Sequence, residues 1–121
     1  MAIASLVRRY LDDRHAHFDV IQHQPTMSAM QSAEVCRLPA GRIAKAVLLD
    51  TEDDRLLAVL PADHRIHLSD LKAELGKNAR LADEGEVREV FTDCILGAIP
   101  PIGTPYGLKV IVDDSLHEQP D

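Results

Sequence analysis

The sequence predicts an α/β (α+β) fold, a mixed sheet surrounded by helices, and three observations carry that reading. Apolar residues recur at helical spacing near the N-terminus. Two β-rich runs, Ile43–Leu49 and Leu56–Leu60, flank the polar stretch Thr51-Glu52-Asp53-Asp54, which makes a hairpin the simplest connection. Helical and strand-like stretches alternate around that hairpin, so the sheet contains an antiparallel pair and is not purely parallel. A chain of 121 residues is one domain, 1–121, large enough to bury a real core.

Each element follows from local pattern. Ile3, Leu6, Val7, Tyr10 and Leu11 fall on one helical face, and that helix should end near Arg14. His17–Gln22 partly alternates apolar and polar and reads as a strand, broken by Pro25. Thr26 or Ser28 can cap a second helix running to Leu38, with Met30, Ala33 and Val35 turned inward. Pro39-Ala40-Gly41 is a turn before the hairpin. Ser69 can cap a third helix, Asp70–Leu75, stopped by Gly76. Ala79–Ala82 is a short strand. Asp83–Phe91 is a helix with acid at its positive end. A second turn, Thr104–Gly107, precedes Leu108–Val112, which reads as the clearest buried strand.

Composition narrows the function. Aromatics are 3 % of the chain and tryptophan is absent, so the core must be aliphatic. A formal net charge of −7 argues against broad binding to duplex DNA, which needs a basic footprint. One nucleotide end could still be met by the local cluster Arg37, Arg42 and Lys45. Two distant cysteines, Cys36 and Cys94, suit a reducing compartment better than a disulfide framework. No apolar run reaches the ~20 residues of a membrane span, and no signal-peptide pattern opens the sequence, so cytoplasmic residence is expected.

Two features stand out as chemistry. Lys45 sits inside an apolar strand and shares a face with Ile43, Val47 and Leu49. An ammonium there is costly unless it is paired or reaches a cavity, and the alternative is a lysine that snorkels to the sheet edge. The segment Gly97-Ala98-Ile99-Pro100-Pro101-Ile102-Gly103 has its dihedrals largely dictated by two glycines and two prolines. Such an arch presents main-chain groups at fixed geometry, although Gly/Pro punctuation also makes ordinary turns. His15, His17 and His23 lack partners at a familiar zinc spacing, so no metal site is expected. Cys94 has no identifiable base and reads as a small core residue. Neither a nucleophile elbow nor a phosphate-cradling glycine motif is present, so an enzyme built on this chain would not use a protein nucleophile.

Taken in order, the Lys45 strand, Leu57–Pro61, Leu71–Gly76, Ala79–Ala82 with Glu86-Val87, and Gly97–Gly103 with Gly107–Asp113 resemble the YbaK-type aminoacyl-tRNA deacylases. That superfamily includes the editing insert of bacterial prolyl-tRNA synthetases. The resemblance covers residues 20–116, and the lysine strand and the G-x-x-x-P loop (Gly97 to Pro101) are specific together and weak apart. Phe91–Cys94 is also similar to one branch, the YbaK-associated domains.

The resemblance implies a partly barrel-like mixed sheet and hydrolysis of the ester joining a wrong amino acid to a tRNA 3′ end, with tRNA(Pro) as the implied carrier. It implies Lys45 as the catalytic residue, and Gly97, Ala98, Ile99, Pro100, Pro101 and Gly103 as the substrate-binding loop. His23 and Ser28 would lie on the pocket wall. No metal or cofactor is implied; a water, or the substrate's own hydroxyl or thiol, would do the chemistry. Prolyl-tRNA synthetase is the implied partner.

Family members continue past the strand matching Leu108–Val112, and this chain is short there. A natural short form, a fragment, or a pocket wall lent by another subunit would each account for it. A catalytically weak ligand-binding or regulatory domain is therefore the competing reading, and an exposed sheet edge would favour homo-oligomers.

Overall fold

The computed structural model describes residues 3–24, 26, 28–94 and 99–119. Among these, four helices and four strands follow in the order α1 (Ser5–Asp13), α2 (Ala29–Cys36), β1 (Ala44–Thr51), β2 (Arg55–Pro61), α3 (Leu68–Leu75), β3 (Ala79–Leu81), α4 (Glu84–Val90) and β4 (Lys109–Val112). Short 3₁₀ turns cover Ala40–Arg42, Thr104–Tyr106 and Asp114–Glu118.

The sheet is mixed and open, in the order β3-β1-β2-β4. β1 and β2 form the expected antiparallel hairpin, pairing Ala44 with Pro61 through Asp50 with Arg55. Its turn is closed by Thr51, whose hydroxyl accepts from the Asp54 amide at 3.0 Å and donates to the Asp54 carboxylate at 2.6 Å. β3 pairs antiparallel with residues 49–51 alone, and β4 runs parallel to β2.

Period-two alternation sorts β1 and β2 into two cores. Leu48, Leu57 and Val59 pack on Phe91 with Val87, Val90 and Tyr106 around them. Leu49, Leu56 and Ala58 pack on the opposite face with Leu71, Leu75 and Ile111. Because both faces of β2 are covered, its run from Leu56 to Pro61 is buried at every position.

The helix ends show why the chain stops where it does. Ser28 caps α2 by accepting from the Gln31 amide at 3.2 Å. Gly76, at φ 72°, closes α3 through its amide to the Lys72 carbonyl. Asp83 and Glu86 form a reciprocal capping box at the start of α4.

Five sequence expectations need correction. His17–Gln22 is not a strand: no strand among the described residues pairs with it, and Phe18, Val20 and Ile21 are exposed. Alternation alone cannot make a strand without a ladder to join. On α2 only Ala33 of the three expected residues turns inward, while Met30 and Val35 stay half exposed, because the helix is short and meets its neighbours along one narrow stripe. α3 starts at Leu68, so Ser69 lies inside the helix and His67 precedes it without a side-chain cap. β4 is an edge strand rather than a buried one, with Val110 38 % and Val112 39 % exposed. Cys94 packs against the Phe91 core as expected, but it is half-buried rather than buried and its thiol donates to Asp93.

Candidate active site

The site forms where β1 lacks a neighbour. The Ala82 amide donates to the Leu48 carbonyl at 3.0 Å, so the main-chain groups of Leu48 face outward, toward β3. Main-chain direction alternates along a strand, so Ala46 and Ala44 face the same way. Their side of β1 has no strand beside it among the described residues, since β3 begins pairing only at Leu49.

His23, Thr26, Ser28 and α2, together with Ile99, border this open edge instead. They leave a hollow of about 330 Å³, lined by His23, Thr26, Ser28, Ala29, Ser32, Ile43, Ala44, Lys45, Ala46 and Ile99. That is the lower end of the range for small-ligand sites. A neighbouring hollow along the same edge shares Ala46 and Ile99 and runs on past Leu81, Ala82 and Val87.

Lys45 is half-buried. Its Nζ donates to the Ala62 carbonyl at 3.3 Å, and it forms no ion pair among the described residues. A neutral carbonyl steadies the amine without neutralising it. The His23 ring places Nδ1 2.6 Å from the Gln24 carbonyl. That bond puts the proton of the neutral ring on Nδ1 and leaves Nε2 as an acceptor. Thr26 Oγ1 and Ser32 Oγ lie 2.6 Å apart. The Ser28 hydroxyl is engaged in capping α2.

The structure therefore gathers Lys45, His23, Ser28 and Ile99 into one hollow. Pro100, Pro101 and Gly103 do not line it. Gly103 is buried elsewhere, where a Cβ would come 2.6 Å from Val110 Cγ2. Gly97 and Ala98 lie outside the described residues. Sequence reasoning missed Thr26 and Ser32 as a pair; residues six apart are not neighbours within a helix or a strand, so nothing periodic marks their contact.

The base of the arch is tied to α1. Asp93 accepts from the Leu6 amide at 3.0 Å and from the Tyr106 hydroxyl at 2.8 Å. The Leu6 amide, helped by Tyr106 and Cys94, holds the Asp93 carboxyl below the usual carboxylate range against the opposing effect of burial. Burial pushes the Tyr106 hydroxyl up, as do the Cys94 and Asp93 contacts. Burial likewise raises the Cys94 thiol, which makes it a poor nucleophile. Tyr106 also packs on Phe91, ring centroids 4.6 Å apart. The chain between Asp93 and Tyr106 is thus pinned at both ends to the core.

What remains in the hollow is a cation, an acceptor imidazole, two paired hydroxyls and an open strand edge. This set can hold a polar ester and a water; it has no activated protein nucleophile. Among the described residues no group of three or more His, Cys, Asp or Glu is placed to hold a metal. No helix there is long and apolar enough to cross a membrane.

Residues 23–121 match the aminoacyl-tRNA editing domain family. A multifunctional Ser/Thr-tRNA deacylase, ProXp-y, of Escherichia coli K12 is 33 % identical over 116 residues, covering 92 % of this chain and 69 % of that protein. A proline–tRNA ligase of Lactobacillus gasseri is 29 % identical over 85 residues, 69 % of this chain but 15 % of the ligase. A crystal structure of a candidate trans-editing enzyme for prolyl tRNA synthetase superposes with a TM-score of 0.79 at 27 % identity, covering 98 % of this chain and 78 % of that one.

Proposed function

The chain belongs to the aminoacyl-tRNA editing domain family, and from that premise we propose that it hydrolyses the ester of a mischarged tRNA in trans, with tRNA(Pro) as carrier. The observation that carries this reading is the shared hollow: the Lys45 strand and Ile99 of the arch border one space, with His23 on its wall.

Lys45 holds the terminal nucleotide or the aminoacyl carbonyl, where negative charge develops as the ester is attacked. The outward main-chain groups of Ala44 and Ala46 orient the aminoacyl end. His23 Nε2 accepts a hydrogen bond from the attacking water. Water oxygen bonds to the ester carbon, the tetrahedral intermediate collapses, and the ribose oxygen leaves with a proton. The free amino acid and the uncharged tRNA result. A raised Cys94 thiol and a capping Ser28 are consistent with a route that has no covalent enzyme intermediate. The similarity to part of a proline–tRNA ligase supports action beside a prolyl-tRNA synthetase.

The test is deacylation of tRNA(Pro) mischarged with Ala, Cys, Ser or Thr. Lys45→Ala should lose on the order of 100-fold or more in rate, the usual cost of one preorganised donor. A folded wild-type domain that turns over none of these esters would refute the reaction.

A further inference from the structure

The hydroxyls of Thr26 and Ser32 are 2.6 Å apart on the wall of the Lys45 hollow, and the reaction proposed above leaves them unused. We propose that this pair is the specificity device of the site, selecting aminoacyl esters whose side chain carries a hydroxyl. The inference rests on the deacylase reading and deepens it.

Proton counting gives the reason. Each hydroxyl has one donor and two acceptor positions. When one donates to the other, the pair keeps one O–H to give and lone pairs to receive. A ligand hydroxyl, itself donor and acceptor, can use both. A serine within a helix commonly turns its hydroxyl back to the carbonyl four residues earlier. Here the Ser32 hydroxyl is bonded outside the helix, to Thr26, while its amide makes the helical bond to the Ser28 carbonyl. Capping of α2 falls to Ser28, so neither member of the pair is needed for it.

Size acts with polarity. Ala29, Ala44 and Ala46 line the same hollow, so a small side chain is favoured. Alanine has hydrogen where serine has its hydroxyl; the Thr26–Ser32 bond stays intact, and only the pair's one remaining O–H loses a partner. Discrimination should therefore fall well short of the 10⁴–10⁵-fold seen where polar groups are left unpaired. One or two net hydrogen bonds correspond to a preference of roughly five- to thirty-fold.

The experiment uses one tRNA charged with Ser, Thr or Ala, and compares wild type with Thr26→Val and Ser32→Ala after circular dichroism shows each to be folded. In wild type kcat/KM should favour Ser and Thr over Ala by about tenfold. Each variant should bring that ratio close to one. A wild-type ratio of one or less overturns the inference, as does a ratio that survives both substitutions. An equal fall for all three substrates also overturns it, because the pair would then touch a part they share, such as the terminal ribose. Competition by seryl- and alanyl-adenosine with a non-hydrolysable 3′-amide link reads the same ratio as affinity. Turnover of no ester would refute the reaction, and the affinity ratio would still decide the role of the pair.

Discussion

Replacing Gly103 by alanine should loosen the arch from below. The backbone there, φ −93° and ψ −25°, is open to any residue, so no dihedral penalty arises. The obstacle is space. A Cβ would come 2.6 Å from Val110 Cγ2 and 3.2 Å from both the Cβ and the carbonyl oxygen of Leu108. Ordinary carbon contacts are ~3.5–4.0 Å, so the overlap with Val110 approaches 1 Å. Overpacking of this kind costs about 1–3 kcal/mol. Two effects pull the figure down. Alanine restricts the unfolded chain, a gain of about 0.4–1 kcal/mol, and Val110 is 38 % exposed and can swing partly aside. Leu108 cannot yield as readily, because one of its contacts is main chain. The balance is a loss of about 1–2 kcal/mol. Urea denaturation followed by circular dichroism should show the midpoint falling at unchanged slope. Val110→Ala added to Gly103→Ala should restore stability beyond additivity, with a coupling of at least ~0.5 kcal/mol. Deacylation by the single variant should fall more than its unfolded fraction explains, since Ile99 lies on the same arch. A Gly103→Ala protein as stable as wild type, or an additive double mutant, would refute the argument.

Other expectations are quicker to test. Asp83→Ala removes one half of the capping box on α4 and should cost about 0.5–2 kcal/mol by thermal or urea denaturation, while Asp83→Asn should cost far less. Asp54 is lowered from 3.8 to about 2, chiefly by the Thr51 hydroxyl and then Lys109 and Lys77. Its folded value lies below its unfolded one, so its contribution is full above pH 4 and fades as pH falls toward 2. Asp54→Asn should flatten that acid limb in a Tm-against-pH series. Cys94, its thiol raised by burial, should react with iodoacetamide at neutral pH more slowly than a free thiol, and unfolding the protein should remove the difference.

The parts of this fold that were legible in advance are those written in consecutive residues. The hairpin could be read because Thr51–Asp54 separates two apolar runs, and α4 because acid gathers at what becomes its positive end. What escaped depends on distant neighbours. His17–Gln22 alternates well enough for a strand, but no ladder among the described residues receives it. Val110 and Val112 look like core until the sheet order places β4 at an edge. Lys45 could be singled out as a cation in apolar company, whereas the Ala62 carbonyl that steadies it lies seventeen residues away. Thr26 and Ser32 meet across a helix start, and such a meeting leaves no periodic trace.

The bond from the Leu6 amide to Asp93 bears on where this domain begins. The match to the editing-domain family starts at residue 23, which leaves α1 outside it, although comparisons over the whole chain take α1 in. Yet α1 supplies the donor that most strongly holds Asp93, at the foot of the arch. Trimming the chain at residue 23 would remove a brace while sparing every residue that lines the hollow. A boundary set there would thus cut through a mechanical unit.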